Sequence, residues 1–414
     1  MTKAQKFQLL LVILLNYFTF AIVTNITGVL LPFWKQDFNI SSDAVVTFLV
    51  SFFFIAYALT SLPQGVLLEK IGNKKTLLWG ASLILVGAAI FSLMPIYSFG
   101  LASLFIMGVG VTAMQIVGNL LVKELDEDPN NYSRNLTMAQ VAAGLGGAGG
   151  GVLIKYLVEG LNWEWVSAYY VFGGLALSLC ILAIVTKIPE LKTEDIEKKE
   201  APNAQEYLKF ATNPLMLIFA LGIFTYVGIE VGVASFISRF LGEKYEITQV
   251  NAGLVVSLFW TLQAVGRFAG GLILNYIPAP KALIIYSVGC LSSIVAAVVA
   301  PSANASMIAF ISAGFFTSIM FPCIFSLAVN SFDKKHEGTV AGVLCTAIVG
   351  GAVTAPVIGL ISDISGSLGT GLIIAASVSF AYIAFVGVQA INNESSKKND
   401  SIKTVNNKKQ EVLI

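Results

Sequence analysis

Apolar stretches of membrane-spanning length recur along almost the whole chain, separated by short polar connections. A helix needs about 20 apolar residues to cross the hydrocarbon core of a bilayer. Hydrophobic residues make up 56% of the 414-residue chain, charged residues only 12%, and mean hydropathy is +0.80. We therefore predict an all-α membrane protein with twelve transmembrane helices. The predicted spans are 7–33, 44–68, 76–97, 99–122, 135–158, 166–187, 214–240, 249–276, 281–300, 304–330, 339–362 and 368–391.

One long polar segment interrupts this series near the middle of the chain. Residues 188–213 carry charged and amide side chains where the flanking stretches are apolar. Six predicted helices lie on either side, which indicates two six-helix bundles, 1–187 and 214–391, joined by this cytoplasmic linker. The last residues, 392–414, are rich in Lys, Asn and Ser and are predicted to form a disordered cytoplasmic tail.

Basic residues are distributed unevenly between the two sides of the predicted membrane. All but five of the 25 Lys and Arg residues fall on the side that holds both termini. Because basic loops are retained inside, we expect both termini to be cytoplasmic and the protein to lie in a plasma membrane, typically a bacterial inner membrane. The first apolar stretch is expected to stay as a helix, since no small-residue cleavage site follows it. A net charge of +1 gives no reason to expect a nucleic-acid partner.

Residue types that serve catalysis or metal binding are scarce. His336 is the only histidine, and the four cysteines lie inside apolar stretches without the paired spacing of a metal site. No nucleophile motif is present. We expect neither an enzyme nor a metal site, and no cofactor apart from a coupling ion.

The loop between the second and third predicted spans carries the most specific local pattern, reading GVLLEKIGNKK over residues 65–75. Glycines permit close helix approach and a tight turn, and the charges can form ion pairs that hold the cytoplasmic face closed. The loop resembles the signature loop of the major facilitator superfamily, with Glu-Lys in place of the usual Asp-Arg. The gating positions it implies are Gly65, Glu69, Lys70, Gly72, Lys74 and Lys75.

Three motifs in the second half resemble the fucose-galactose-glucose:proton symporter family within that superfamily. Residues 226–236 read YVGIEVGVASF, residues 258–268 read LFWTLQAVGRF, and residues 315–327 read FFTSIMFPCIFSL. These are similar to the family patterns YVGxEVxxxSF, LFWxxxxxGRF and FFxSIxFPxIFSL. The resemblance implies two six-helix bundles in the major facilitator fold, which move a sugar by alternating access.

The first half departs from the same family at two positions. Residues 25–32 resemble a pattern in the first span, but Gly28 occupies its acidic position. Gln115 stands where the fucose members have a glutamate, and Gln140 ends a segment similar to the family's L-x-L-A-Q. Two carboxylates that the family would use for proton coupling are therefore absent, and the resemblance supports the sugar more than the proton.

Two charged residues lie well inside the predicted spans, away from their ends. A carboxylate in a bilayer is costly, so Glu230 is expected to face the interior or a water-filled cavity. It can serve as a clamp between helices, as a ligand of a substrate hydroxyl, or as a coupling acid. Arg267 lies about 10 Å closer to the cytoplasmic side, so we expect no direct ion pair between the two. Arg267 is expected to be a gating residue at the junction of the halves or a snorkelling helix-end cation.

Amides and two aromatic residues complete the predicted site. Amide groups offer donors and acceptors without charge, which suits a neutral polyhydroxylated ligand, although they also serve as links between membrane helices. Aromatic faces can pack on a pyranose ring. The predicted substrate-binding residues are Asn25, Gln115, Asn119, Gln140, Glu230, Trp260 and Phe321.

These observations predict a monomeric transporter of a neutral hexose such as glucose, galactose or fucose, embedded in membrane lipid. Coupling through Glu230 to a proton is one expectation; sodium coupling, as a second choice, and uncoupled uniport stay open. An exporter of a drug-like molecule would have a more apolar cavity and would tolerate replacement of the glutamines. A non-transporting nutrient sensor would bind without flux.

Overall fold

The helices follow the apolar stretches, because backbone polar groups in hydrocarbon must bond within their own segment. The computed structural model describes residues 2–40, 43–126, 128–189, 212–247 and 249–411. Its α-helices are α1 (Lys3–Asp37), α2 (Asp43–Leu93), α3 (Tyr97–Leu121), α4 (Tyr132–Ala139), α5 (Val141–Lys155), α6 (Ser167–Val185), α7 (Pro214–Tyr245), α8 (Gln249–Ile273), α9 (Ala279–Val299), α10 (Ala303–Thr317), α11 (Met320–Ser331), α12 (Glu337–Thr346), α13 (Gly350–Ser365) and α14 (Leu368–Glu411).

Ten segments within the described ranges are long and apolar enough to cross a membrane, and a bent pair of helices over 129–158 provides an eleventh. One of the ten, Leu49–Leu93, has 45 residues. At 1.5 Å per residue it is about 68 Å long, more than twice the hydrocarbon thickness of about 30 Å. Gly72 interrupts it with a backbone conformation of φ 84°, ψ 171°, which favours glycine. Two spans in this segment agree with the predicted twelve.

Three of the predicted spans are each broken into two helices. The fifth divides at Gln140 into α4 and α5, and the tenth divides after Thr317 into α10 and α11. The eleventh divides at a 3₁₀ turn, Ala347–Val349, into α12 and α13. Discontinuous helices are typical of transporters, where irregular backbone lines a cavity instead of lipid.

The helices form two groups in the order of the chain. In the first, α1 packs on α3 and α5, and α2 packs on α3 and α6; in the second, α7 packs on α8, α13 and α14, and α9 packs on α10 and α14. The two groups meet where α2 and α3 contact α12, where α4 contacts α8 and α11, and where α5 contacts α8. Buried apolar side chains form a continuous core through both groups.

The structure bears differently on the predicted linker and on the predicted C-terminal tail. Most of the linker predicted at 188–213 lies outside the described residues. At the other boundary, α14 continues to Glu411 as one helix, where we expected a disordered tail from residue 392. Lys, Gln and Glu are good helix formers, so local propensity continues the helix after the apolar pattern has ended.

Candidate functional site

A cluster of polar side chains surrounds Glu230 at the middle of α7. Glu230 is 9% exposed, and its Oε1 atom accepts hydrogen bonds from the Tyr226 hydroxyl and from Nε2 of Gln263 on α8. The same Gln263 nitrogen donates to Oγ1 of Thr317, 3.3 Å away at the end of α10. Within the described residues, Oε2 of Glu230 has no hydrogen-bond partner. The carboxyl group is thus held by one oxygen while the other is available to a ligand.

Two aromatic residues flank this cluster. The Phe321 ring at the start of α11 lies 6.4 Å from the Tyr226 ring and stacks on Phe325 at 5.7 Å. It is 5% exposed, and in this structure it packs against Tyr226 and Phe325.

Trp260 is 36% exposed and lies on α8 one turn before Gln263. It shares a helix face with Ala264, which faces Gly144 of α5 across the junction of the two bundles. Trp260 is therefore the aromatic residue of the predicted site that is free to contact a ligand between the bundles.

Gln115 is the corresponding polar group in the first bundle. Its Oε1 accepts a hydrogen bond of 2.8 Å from the Tyr57 hydroxyl, which joins α3 to α2. The side chain is only partly buried, so its amide nitrogen stays available. Gln115 therefore has a donor group to offer to a neutral ligand.

Asn119 lies one helical turn from Gln115 but is fully buried. The Tyr17 hydroxyl donates to its Oδ1 at 2.6 Å, and the Tyr132 hydroxyl donates to its backbone oxygen at 2.7 Å. Asn119 thus ties α1, α3 and α4 together. Its Nδ2 has no hydrogen-bond partner among the described residues, so its contact with substrate stays a prediction.

Asn25 is exposed on α1. Its Nδ2 donates 2.8 Å to the Ala21 oxygen one turn earlier, and its side chain lies beside Gly147 of α5. The contacts of Asn25 that the structure shows are within the first bundle, and its contact with substrate stays a prediction.

Gln140 and Arg267 meet at the junction of the bundles. Nη1 of Arg267 lies 3.5 Å from the Gln140 backbone oxygen, at the break between α4 and α5. The Gln140 side chain is 6% exposed and interacts with Tyr17. Since Arg267 lies one turn beyond Gln263 on α8, it sits about 6 Å from the level of Glu230. The described ion pairs include none between Arg267 and Glu230, as expected.

All described hydrogen bonds and ion pairs between the bundles lie at one end of the molecule or at the junction just above it. We call the end that carries loop 69–75 the closed end. Two contacts there involve α12: Lys123 Nζ pairs with Glu337 Oε1 at 2.6 Å, and Glu69 Oε1 accepts from both the backbone N–H and the hydroxyl of Thr339, at 2.6 and 2.8 Å. Glu69 therefore satisfies a free N–H group in the first turn of a helix in the other bundle.

Further contacts extend the closed end across α4, α8 and α11. Arg134 Nη1 donates to Oδ1 of Asn275 at 2.9 Å, and the hydroxyls of Ser133 and Ser326 are hydrogen-bonded. Arg134 also pairs with Asp126 at 3.3 Å. The backbone N–H of Asp128, together with Asn131 and Arg134, holds the pKa of Asp126 below its usual value.

Small residues allow the helices to approach closely at this end. A Cβ on Gly65 would overlap the backbone oxygen of Gly338, and a Cβ on Gly342 would lie 2.7 Å from the Ser61 oxygen. The gating role predicted for Gly65 and Glu69 therefore coincides with the contact between bundles, and Gly72 provides the turn after it.

The three lysines of the loop, Lys70, Lys74 and Lys75, form none of the described ion pairs between the bundles. We expected the bases of the loop to form ion pairs that hold the face closed. Lys74 instead donates to the backbone oxygens of Ile184 and Thr186, 2.8 and 3.2 Å away, at the end of α6 in its own bundle. Lys70 and Lys75 are exposed. The cation in the described ion pair between bundles is Lys123, which the pattern of the loop does not contain.

Three residues that make these contacts, Gln263, Tyr226 and Lys123, were not predicted, because their sequence signals were not distinctive. Gln263 lies inside the LFWTLQAVGRF motif, four residues before Arg267, and Tyr226 lies four residues before Glu230. Both spacings place the side chains on one helix face, which could have marked them. The pairing of Lys123 with Glu337 joins residues over 200 positions apart, and no local pattern indicates it.

Comparisons with known proteins agree with this architecture. The chain matches the Major Facilitator Superfamily over residues 13–356. It is 32% identical over 388 residues to a glucose/galactose transporter of Brucella abortus (strain 9-941), covering 90% of this chain and 92% of that protein. It is 24% identical over 410 residues to the L-fucose-proton symporter of Escherichia coli K12, covering 91% and 92%.

Solved structures give the same result for the fold. The crystal structure of a variant of the E. coli fucose:proton symporter superposes with a TM-score of 0.80 at 24% identity, covering 92% of this chain and 98% of that one. A crystal structure of the fucose transporter described as being in the outward conformation also has a TM-score of 0.80, at 23% identity with the same coverage. The chain therefore belongs to the Major Facilitator Superfamily, in the same family as the Brucella glucose/galactose transporter.

Proposed function

We propose that this protein carries a neutral hexose across the membrane by alternating access. The observations that carry the proposal are one polar group in each bundle: Glu230, held by Gln263, in the second, and Gln115, held by Tyr57, in the first. Trp260 on α8 adds an exposed aromatic ring. Such groups match the hydroxyls and the flat faces of a sugar ring. Relatives named as glucose/galactose transporters and as a fucose-proton symporter support a hexose over other polyhydroxylated molecules.

Radiolabelled hexose uptake into liposomes containing the purified protein tests the substrate class. Glucose, galactose and fucose are each offered, and unlabelled hexoses and a lipophilic dye compete. We expect at least one hexose to enter and to be displaced by other hexoses but not by the dye. Competition by the dye alone would support a drug-like substrate, and binding without flux would support a sensor; either result would overturn the proposal.

Gln115→Leu gives a test at the site itself. Loss of one neutral hydrogen bond of about 1 kcal/mol corresponds to a KM increase of about fivefold. Ser178→Ala is the matched control, because Ser178 is exposed on α6 and bonds only within its own helix. We expect the control to keep the KM of the unchanged protein. An unaltered KM in Gln115→Leu would remove Gln115 from the site.

We further propose that transport is coupled to a proton through Glu230 and needs no other cofactor. A partly accessible carboxylate without an ion-pair partner among the described residues is a group whose charge can change during the cycle. Sodium coupling and uniport are the competing outcomes, and the gradient measurement at the end of the Discussion separates them.

We also propose that the protein acts as a monomer in a bacterial inner membrane, with the closed end and both termini in the cytoplasm. The support is the excess of Lys and Arg in the loops at that end. Cysteines can be introduced at Lys70 and at Tyr276, at the closed end, and at Met94, at the other end, and tested with a membrane-impermeant thiol reagent. In intact cells only the Met94 position should be labelled.

A further inference from the structure

Gln263 lies in a row of hydrogen bonds in which each donor and each acceptor can be assigned. The Thr317 hydroxyl donates its only proton to the Gly314 backbone oxygen at 2.8 Å. Thr317 Oγ1 must therefore accept from Gln263, so the NH₂ group of that amide faces Thr317. Because the same NH₂ group also reaches Glu230, the amide oxygen is turned away from the carboxylate. Thr317 thus fixes which end of the Gln263 amide meets Glu230.

These hydrogen bonds give the two oxygens of Glu230 different surroundings. Oε1 receives a donor from Gln263 and another from Tyr226, so a proton placed on Oε1 would face two donated hydrogens. Oε2 has no partner within the described residues and belongs to a side chain that keeps 9% exposure. A proton taken from water therefore binds Oε2 and leaves from it.

We propose that Gln263 is a positioning residue for Glu230: it holds Oε1 as a permanent acceptor, so that the coupled proton and a substrate hydroxyl meet at the same atom, Oε2. The substrate part of this proposal rests on the proposed function, whereas the proton part does not. A shared atom links the two ligands directly, because the protonated Oε2 donates to a hydroxyl oxygen and the ionised Oε2 accepts from a hydroxyl proton. Gln263 itself contacts neither proton nor sugar in this arrangement.

Other ionisable groups near Glu230 are few among the described residues. Tyr226 lies on the same helix, Arg267 acts from α8 without pairing, and Cys290 of α9 lies within electrostatic range of Glu230. From α10 the polar neighbour is Thr317, and from α11 the neighbouring ring is Phe321, reached through Tyr226. Arg267 and Tyr226 are unchanged in the variants below, so a shift in titration reports on Gln263.

Infrared spectroscopy of the purified protein in lipid tests the proton part without any substrate. The C=O stretch of a protonated carboxyl group is followed as pH is raised, and the band that Glu230→Gln removes belongs to Glu230. Gln263→Met keeps the size of the side chain but cannot donate. Since a donor to a charged group stabilises the ionised form, we expect the titration midpoint in Gln263→Met to rise by about one to two pH units.

Thr317 supplies the matched pair of controls. Thr317→Val removes the acceptor that orients the amide, so Gln263 can turn its oxygen toward a protonated Glu230, and the midpoint should rise by about half a pH unit. Thr317→Ser keeps the acceptor and should leave the midpoint unchanged. A folded Gln263→Met whose midpoint stays put or falls would overturn the proposal. If that variant does not fold, equal midpoints in Thr317→Val and Thr317→Ser would overturn it instead.

Transport assays separate this proposal from the proposed function. If hexose enters liposomes, the pH at which uptake is half-maximal should move upward in Gln263→Met by the same amount as the infrared midpoint. If no hexose enters, the proposed function fails, but the infrared midpoints still decide the role of Gln263. A lower uptake rate with an unmoved pH profile would mean that Gln263 only supports packing, against the proposal.

Discussion

At the scale of the residue, the two bundles would contribute different chemistry to the proposed site. The second bundle supplies a carboxylate, Glu230, whereas the first supplies the Gln115 amide held by Tyr57. An amide can bind a hydroxyl at any pH, because it does not ionise in the physiological range. The pH dependence of transport should therefore originate in the second bundle.

Gln115→Glu tests this division of roles. The new carboxylate would accept the same hydrogen bond from Tyr57, so the local geometry can persist. A second acid at the site changes from acceptor to donor when it is protonated, so we expect the uptake profile to acquire a second titration step. Initial rates over a series of pH values measure it, with Gln115→Met as a non-ionising control. A profile identical to that of the unchanged protein would place Gln115 outside the ligand path.

At the scale of the element, α12 is the helix on which closure depends. Its first turn receives Glu69 at the Thr339 N–H group and Lys123 at the Glu337 carboxylate. The side chains of Lys123 and Glu337 are 16% and 5% exposed, so removing one partner leaves a charge in a poorly solvated position. Cys345 lies farther along α12, fully buried, within electrostatic range of Tyr17 and Tyr57 of the first bundle.

Loss of either partner in this pair should open the closed end. Lys123→Met or Glu337→Gln leaves one charge unpaired, which should cost the closed state about 3 kcal/mol. The double variant leaves no unpaired charge, so it should recover most of that lost stability. The rate at which a thiol reagent alkylates Cys345 reports opening, in a background where the other three cysteines are Ala. Arg239→Gln removes the exposed pair with Glu243 as a control and should change nothing. Equal rates in all variants would contradict a latch at α12.

At the scale of the whole molecule, the described polar contacts between the bundles lie at the closed end and at the junction just above it. The cluster around Glu230 lies one helical turn farther from that end than Arg267. Rocking of one bundle against the other about this site would break the closed-end contacts and join the opposite ends. Transport then requires that the contacts at Ser133 and Ser326 separate in every cycle.

A reversible cross-link tests that requirement. The Ser133 and Ser326 hydroxyls are in hydrogen-bond contact, so cysteines at both positions lie close enough to form a disulfide. In a background without native cysteines, oxidation of the Ser133→Cys/Ser326→Cys protein should reduce hexose uptake by about tenfold or more, and a reductant should restore it. Each single variant should be unaffected by oxidation. Full uptake by the cross-linked protein would contradict rocking between rigid bundles.

Hydropathy and charge were sufficient to predict the helical fold, because a bilayer permits few alternatives for an apolar chain. The helix breaks at Gln140 and Ala347 were not predictable, since neither has a proline at the break. The break after Thr317 had a local signal, because Pro322 cannot donate to the Ser318 oxygen and its ring crowds that carbonyl, but the predicted span ran through it. Glu230 could be singled out because a carboxylate is rare in a span, and its role stays a prediction. Gln263 was missed because a lone amide in a span usually joins helices. Closure by Glu69 and Lys123 depends on contacts between distant segments, for which local sequence has no signal.

Gradient-driven hexose accumulation in liposomes, for the unchanged protein and for Glu230→Gln, tests the account most directly. We predict that an inward proton gradient, but not a sodium gradient, drives accumulation above equilibrium in the unchanged protein. Glu230→Gln should abolish accumulation while hexose exchange at equilibrium survives, because the amide keeps the shape of the site but cannot bind the proton. Accumulation by Glu230→Gln, or hexose that equilibrates without ever accumulating in the unchanged protein, would contradict Glu230 as the coupling group.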